Sequence, residues 1–160
     1  MLPSESRYSS SSPTLLLWFF SFGLELKQLT VTSTENAVSN ATKTNHNVTD
    51  AALVYLQGWT ALQDLRFSSG VTDAGLASIA GLGGLERLHL EKTKVTDAGL
   101  AHLKGLANLQ YLNVYGTAVT DGGLKHLSGL KKLKKLYIWE TKISAGGIKS
   151  IKTAVAGLRV

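Results

Sequence analysis

The chain contains no cysteine among its 160 residues. This absence excludes disulfide bonds, thiolate metal sites and cysteine nucleophiles, and it makes redox chemistry a poor hypothesis. It does not specify the compartment, because many envelope proteins also lack cysteine. Proline is scarce, with two residues, whereas 44% of the side chains are hydrophobic. A chain of this length and composition is too apolar to stay disordered and is predicted to form one folded unit.

Acidic residues are scarce in the C-terminal part of the chain. From Leu100 onward the sequence has ten Lys or Arg and two acidic residues, whereas residues 1–99 have seven Lys or Arg and nine acidic residues. The net charge of +6 therefore comes from the C-terminal end of the molecule.

A segment of 24 residues, Val95 to Ala118, is repeated with few changes from Val119 to Lys142. Equivalent apolar residues recur at steps of 23 or 24 along the chain, at Val48, Val71, Val95, Val119 and Ile143. A fixed period of this length predicts a solenoid. In each unit, one stretch alternates with period two and another is spaced for one helix face. We predict a short strand and a short helix in every unit, with leucines shared in one core.

The helix boundaries are indicated by two recurring residue types. Hydroxyl side chains occupy the predicted N-cap, followed in four units by Asp in the electropositive first turn: Thr49, Thr72, Thr96, Thr120 and Ser144. Glycines follow the helices and are predicted to end them in the left-handed conformation: Gly58, Gly81, Gly105 and Gly129.

The repeats resemble a known family. The segments LERLHLEKTKV, LQYLNVYGTAV and LKKLYIWETKI resemble the LxxLxLxx(N/C)xL signature of leucine-rich repeats. The VTDAGLxxLxGL pattern that follows is similar to the cysteine-containing, F-box-associated subclass and to bacterial VTDAGL-type repeats. The resemblance implies an α/β solenoid with a parallel inner sheet and short outer helices. No F-box precedes the repeats, so a role in ubiquitin ligation does not carry over.

Threonine stands where the family pattern has Asn or Cys, at Thr93, Thr117 and Thr141. The resemblance implies that these hydroxyls bond to backbone inside the turn. The alternative is that threonine is present because it favours extended structure.

Three regions are predicted: a hydrophobic N-terminal segment over residues 1–25, a degenerate first strand and polar loop over 26–47, and the leucine-rich repeat domain over 48–160. The apolar run TLLLWFFSFGL leaves three interpretations, namely a targeting or anchoring segment, a hydrophobic cap or oligomer contact, and an incidental start. Membrane contact is expected only through residues 14–24. This run predicts export or a place in the cell envelope, with the cytoplasm as the alternative.

Motifs for catalysis are absent. The sequence has no phosphate-binding loop, no nucleophile elbow, and no HExxH or acidic cluster at metal-ligand spacing. His89 is expected near Ser68, Glu91 and Asp64, but no spacing identifies a nucleophile. We therefore predict no enzyme activity, no catalytic residue, no metal site and no cofactor.

The concave strand face carries the stronger functional signal. Outward positions of successive strands should form three columns: Asp64, Arg87, Tyr111, Lys135; Arg66, His89, Asn113, Tyr137; and Ser68, Glu91, Tyr115, Trp139. Aromatic residues beside Arg and Lys are typical of protein-binding surfaces. We predict a partner-binding site made of Arg66, Arg87, His89, Glu91, Tyr111, Asn113, Tyr115, Lys135, Tyr137 and Trp139.

A protein-recognition scaffold, which the resemblance also implies, is the favoured function. The partner is then a protein or peptide, bound on the strand face. The alternative is a binder of nucleic acid or acidic polysaccharide that uses the clustered lysines Lys125, Lys131, Lys132, Lys134, Lys135, Lys142 and Lys149.

Overall fold

Each repeat unit places its strand beside the strand of the next unit. The computed structural model describes residues 28–31, 50–67 and 69–160, and the structural statements below concern these residues. Within them, one five-stranded sheet is wholly parallel, with its strands in chain order. The strands are β1 (Gln28–Val31), β2 (Asp64–Phe67), β3 (Arg87–His89), β4 (Tyr111–Asn113) and β5 (Lys135–Tyr137). The predicted solenoid is confirmed.

Short helices form the second layer. They are α1 (Asp50–Leu53), α2 (Asp73–Ile79), α3 (Asp97–Ala101), α4 (Asp121–Leu124) and α5 (Ala145–Ala154). Three of them continue into 3₁₀ turns, at Val54–Leu56, His102–Gly105 and Lys125–Leu127. Consecutive helices pack against each other, as consecutive strands do. The architecture is therefore the α/β solenoid that the sequence predicts.

The core is one continuous cluster of apolar side chains between the two layers. The leucine, isoleucine and valine positions predicted from two adjacent units are all completely buried: Leu76, Ile79, Leu82, Leu85, Leu88, Leu90, Val95, Leu100, Leu103, Leu106, Leu109, Leu112, Val114 and Val119. Because each unit supplies side chains to the same cluster, a unit is stabilised mainly by its neighbours.

Hydrogen bonds between a recurring Asp and a hydroxyl residue of the next unit link each repeat to its neighbour. Asp97 accepts two hydrogen bonds from the following unit, from the Thr120 backbone N–H at 2.7 Å and the Thr120 hydroxyl at 2.6 Å. The Thr120 hydroxyl in turn accepts from the Gly122 N–H at 3.1 Å, which is the predicted helix cap. The same Asp-to-hydroxyl pair joins Asp50 to Thr72, Asp73 to Thr96 and Asp121 to Ser144.

The N-cap prediction is therefore confirmed at Thr72, Thr96, Thr120 and Ser144, whereas Thr49 lies outside the described residues. The acidic residue has a larger role than the expected interaction with the helix dipole. Its two carboxylate oxygens satisfy both the backbone and the hydroxyl of the next cap, so the contact is between units as well as within a helix. In the last of these contacts along the chain, the hydrogen bonds from Ser144 hold the pKa of Asp121 below its ordinary 3.8.

A glycine three residues after each cap hydroxyl from Thr72 to Ser144 makes room for this contact. A Cβ atom added to Gly123 would lie 2.5 Å from Oδ1 of Asp97, which belongs to the preceding unit. The equivalent glycines face the preceding Asp in the same way: Gly75, Gly99 and Gly147. The pattern TDxG thus combines a cap, a carboxylate for the next unit and space for the carboxylate of the previous one.

The threonines at the family's Asn/Cys position bond to their own turn. The hydroxyls of Thr93, Thr117 and Thr141 donate to the carbonyl oxygens of Leu90, Val114 and Ile138 at 2.8, 2.7 and 2.6 Å. The backbone-bonding interpretation is confirmed. Each bond lies within one unit, so these hydroxyls do not join one unit to another.

The prediction that four glycines end the helices in the left-handed conformation is wrong at three of them. Gly58 has φ of +90°, but Gly81, Gly105 and Gly129 do not have positive φ. The chain leaves the helix at the following residue instead: Leu106 has φ −83° and ψ 64°, and the Ala107 N–H donates to the Gly105 carbonyl. This tight turn needs no left-handed residue.

The two ends of the stack are partly described. β1 lies within the region predicted as a degenerate first strand and pairs with β2 from Gln28↔Asp64 to Val31↔Phe67. At the other end, Arg159 bridges to Lys135 and begins a further parallel pairing after α5. The predictions for residues 1–25 and for the polar loop lie outside the described residues, and the three region boundaries stay predictions. No helix in the described part of the chain is long and apolar enough to cross a membrane.

Truncation of a central leucine tests the shared core. Leu112 is completely buried in β4, so Leu112→Ala is expected to lower the free energy of unfolding by about 2 to 5 kcal/mol through lost burial and a cavity. Chemical denaturation of the purified protein measures this change. A smaller loss would contradict the assignment of Leu112 to the core.

Alanine substitutions at two glycines test the packing of the repeat motif. Gly123→Ala is expected to destabilise the protein by about 1 to 3 kcal/mol, because the new methyl group would displace Asp97 from Thr120. Gly129→Ala is the control, since nothing lies within 4 Å of its Cβ position and its φ is not positive. Thermal denaturation measures the melting temperatures of both variants. Equal melting temperatures would contradict the role assigned to Gly123.

Candidate binding surface on the strand face

The register of the sheet aligns the predicted columns. Asp64, Arg87, Tyr111 and Lys135 are direct partners across β2 to β5, and so are Arg66, His89, Asn113 and Tyr137. Backbone hydrogen bonds continue beyond the strands, from the Lys92 N–H to the Tyr115 carbonyl and from the Gly116 N–H to the Trp139 carbonyl. These bonds align Glu91, Tyr115 and Trp139 as the third column, whereas Ser68 lies outside the described residues. All ten predicted site residues therefore share one face of the sheet.

One half of this face is a charged cluster, made of Asp64, Arg66, Arg87, His89 and Glu91. Asp64 is at its centre and is buried. Its Oδ2 accepts from Arg87 Nε at 2.9 Å, and its Oδ1 lies 3.9 Å from Arg66 Nε. A single carboxylate therefore lies between two guanidinium groups, each on a side chain that is about half exposed.

His89 is the second buried member of the charged cluster, with 5% of its surface exposed. The expectation that every side chain in the columns meets solvent is wrong for His89 and Asp64. The reason is packing by neighbours on the sheet: the ring of Tyr111 lies 4.7 Å from that of His89, and Arg87 covers Asp64. His89 Nδ1 is 2.9 Å from Glu91 Oε1, and its Nε2 is 3.9 Å from Asp64 Oδ1.

Glu91 joins the charged cluster to the next strand. Its Oε1 also accepts from Asn113 Nδ2 at 2.7 Å, and the Asn113 Oδ1 accepts from the Tyr115 N–H at 3.0 Å. Burial alone would raise the pKa of Glu91, but the hydrogen bond from His89, a backbone hydrogen bond and the charges of His89 and Arg66 outweigh it. The pKa of Glu91 therefore lies below its ordinary 4.5.

The other half of the face is an aromatic cluster, made of Tyr111, Tyr115, Tyr137 and Trp139. The rings of Tyr111 and Tyr137 contact each other with centroids 5.2 Å apart. Tyr111 is partly buried, and that burial raises the pKa of its phenol. Exposure increases toward β5, to 47% for Tyr137 and 76% for Trp139. Large aromatic side chains this exposed are unusual on a surface that binds nothing.

Tyr115 is oriented by the turn residues on either side of it. Lys92 Nζ lies 5.6 Å from the centre of its ring, a cation–π distance. A hydrogen bond with Glu140 raises the pKa of the Tyr115 phenol. Lys92 and Glu140 occupy equivalent turn positions with φ of 56° and 55°, and Gly116 has φ of 66° at the same position in the unit between them. The left-handed turn thus places a charged side chain on each side of Tyr115.

The seven lysines of the polyanion hypothesis do not form one surface. Lys125 and Lys149 lie in the helical layer, and Lys135 lies on the strand face. Three others bond to nearby groups: Lys131 to the Ser128 and Ala154 carbonyls, Lys132 to Asn108, and Lys134 to Gln110. This distribution does not support the polyanion hypothesis.

Asp64 and the turn residues Lys92 and Glu140 were not among the predicted site residues. Asp64 could have been found, because it occupies the first position of the column that holds Arg87 and Tyr111. The involvement of Lys92 and Glu140 depends on positive φ angles that only Gly116 signals in the sequence. In the described part of the chain, no group of three or more His, Asp or Glu side chains could hold a metal ion.

No family model and no curated protein matches this sequence. Solved structures do match it. Internalin C2 from Listeria monocytogenes has a TM-score of 0.53 and 27% identity over 83% of this chain and 59% of its own. A second Listeria internalin, InlF, has a TM-score of 0.60 and 18% identity over 83% and 40%. A leucine-rich-repeat protein of Leptospira interrogans has a TM-score of 0.46 and 17% identity over 84% and 36%.

The fold is a leucine-rich-repeat solenoid. The parallel sheet with short helices and the likeness to the two internalins agree on this point. The two internalins are bacterial proteins. The chain spans 36% to 59% of the length of these neighbours.

Removal of the Glu91 carboxylate tests the charged cluster. A carboxyl group whose folded-state pKa lies below its unfolded value stabilises the protein at higher pH, and this stabilisation is lost as the pH falls through the folded-state pKa. Wild-type stability should therefore decrease as the pH falls below the ordinary value of 4.5, and Glu91→Gln should show a shallower decrease. Urea denaturation at a series of pH values measures both proteins.

Glu86→Gln is the matched control for this experiment. It also removes one acid, from a side chain with no hydrogen bond or ion pair in the described part of the structure, and its pH dependence should match that of the wild type. If Glu91→Gln behaves like Glu86→Gln, the hydrogen bonds to His89 and Asn113 do not contribute to stability.

Proposed function

We propose that this protein is a non-catalytic recognition scaffold that binds a protein or peptide on its concave strand face. The observation that supports the proposal best is the exposure of Tyr137 and Trp139 on adjacent columns of the sheet. Aromatic residues that remain exposed on a rigid sheet lose little conformational freedom on binding and can bury a large area. Trp and Tyr are also the residue types in which interface energy concentrates.

The dimensions of the face suit a peptide or one side of a small domain. Parallel strands are spaced about 4.8 Å apart, so the five strands present a surface roughly 20 Å wide. The charged and aromatic clusters are adjacent on this surface and offer both polar and apolar contacts. Their backbone belongs to a sheet whose other side is buried in the leucine core, which keeps the site in one geometry.

Two finer assignments belong to this proposal. The Asp–Thr contacts and the glycines that accommodate them support a place among bacterial VTDAGL-type repeats, because they give a physical reason for the Thr, Asp and Gly of that motif. Export or a position in the cell envelope is proposed from the apolar run TLLLWFFSFGL, whose structure lies outside the described residues.

Substitution of the aromatic cluster tests the proposal. The double variant Tyr115→Ala/Trp139→Ala should retain its fold and lose most of its binding, with a partner affinity lowered by roughly tenfold or more, because large exposed aromatics concentrate interface energy. A pull-down from an extract of the native cells identifies the partner, and titration with that partner measures the affinity.

Tyr55→Ala is the matched control, since Tyr55 is an exposed aromatic in the 3₁₀ turn of the helical layer. This variant should bind the partner as the wild type does. Full-strength binding by the double variant, or an equal loss in Tyr55→Ala, would place the binding surface elsewhere.

A further inference from the structure

Arg66 and Arg87 both lie close to the carboxylate of Asp64, which is hydrogen-bonded to Arg87 and makes a longer ion pair with Arg66. Asp64 Oδ2 accepts a hydrogen bond from Arg87 Nε at 2.9 Å, and Asp64 Oδ1 lies 3.9 Å from Arg66 Nε. In the described part of the chain, neither guanidinium has a further hydrogen-bond partner, and 52% and 50% of the two side chains are exposed. Both therefore present terminal N–H donors that bond to no residue in the described part of the chain.

The two guanidinium groups are the more exposed charges of this cluster and favour an anionic group, although the carboxylates of Asp64 and Glu91 formally balance them. One buried carboxylate lies between two permanent positive charges, and the second carboxylate of the charged cluster, Glu91, is already hydrogen-bonded to His89 and Asn113. A planar guanidinium donates two parallel hydrogen bonds to a carboxylate, and such charge-assisted pairs are stronger than neutral ones. A side chain already held by a hydrogen bond, as Arg87 is by Asp64, loses less freedom when it binds a ligand.

The aromatic cluster favours a second group on the ligand, an apolar side chain. The spacing of the strands gives the distance between this group and the anionic group. Tyr137 is the last residue of β5 and Trp139 follows it, and β5 lies two strands from Arg87 and three from Arg66. At about 4.8 Å per strand this separation is roughly 10 to 14 Å. An extended peptide advances about 3.3 Å per residue, so three or four residues cover the distance.

We propose that the strand face recognises an extended peptide segment in which an acidic side chain and a large apolar side chain are three or four residues apart. The segment crosses the strands, with its carboxylate on Arg66 and Arg87 and its apolar side chain on Tyr137 and Trp139. This inference rests on the proposed function, since it specifies which partner the concave face binds.

Selection from a library of random linear peptides, each about a dozen residues long, tests the proposal with the full chain as bait. Enriched peptides should pair Asp or Glu with Leu, Phe, Tyr, Trp or Met at the stated spacing. Arg66→Gln should weaken their binding by roughly tenfold or more, since it removes a charged donor pair. Replacement of the peptide's acidic residue by Ala should weaken binding to the wild type similarly and should weaken binding to Arg66→Gln little further.

Lys104→Gln is the control, because it removes one positive charge from an exposed lysine of the helical layer. It should bind the peptides as the wild type does, and thermal denaturation should show that both variants are folded. Enriched peptides without an acidic residue would overturn the inference, as would equal affinities of Arg66→Gln and Lys104→Gln. A larger loss in Lys135→Gln than in Arg66→Gln would also overturn it, since the acidic residue would then lie at the other end of the face.

Failure of this inference can be separated from failure of the proposed function. If Tyr137→Ala/Trp139→Ala abolishes peptide binding while Arg66→Gln leaves it unchanged, the concave face is the site and only the acidic requirement is wrong. If the library yields no peptide whose binding depends on a residue of either cluster, the peptide inference is wrong, whereas the proposed function fails only if the partner from the pull-down binds Tyr115→Ala/Trp139→Ala at full strength.

Discussion

Burial of leucine between successive units is the interaction on which the rest of this structure depends. No unit of 23 or 24 residues has enough apolar surface to fold alone, because its helix has only four to ten residues and its strand three or four. Stacking places the leucines of all units in one cluster and removes them from water. The strand register follows from this requirement, since a shift of one residue would turn the leucines out to solvent. The positions that face outward on the strand face are thereby determined as well.

Polar contacts between units act together with this core. A carboxylate on one helix satisfies the cap of the next, so the buried or half-buried backbone groups at each helix start have partners in two units. The glycine that follows is required by the close approach of the two helices. The hydroxyl of Thr117 satisfies the turn after its strand. These contacts contribute less to the free energy of folding than leucine burial does. Because hydrogen bonds depend on direction, they favour one register of stacking over the alternative registers.

The strand face shows how a repeat protein can acquire a specific surface without changing its fold. The inward positions repeat apolar side chains, most of them leucine, whereas the outward positions differ from unit to unit. The first units described place a buried carboxylate and two arginines there, and the later units place aromatic residues. The result is a surface with two chemical halves on a single rigid sheet. Glu91 and Asn113 connect the two halves. Glu91 bonds to His89 and to Asn113, and Asn113 accepts a hydrogen bond from the Tyr115 backbone.

The 24-residue period by itself determined the core, the parallel sheet, the helix caps and the membership of the three columns, because position in the repeat dictates which side chains are enclosed. Only the tertiary structure decided the environment within the columns. His89 and Asp64 are buried because Tyr111 and Arg87 of neighbouring strands pack over them, and such contacts depend on distances that no spacing along the chain encodes. The same reason applies to Asp97 and Gly123, whose contact joins residues 26 positions apart in sequence and adjacent in space.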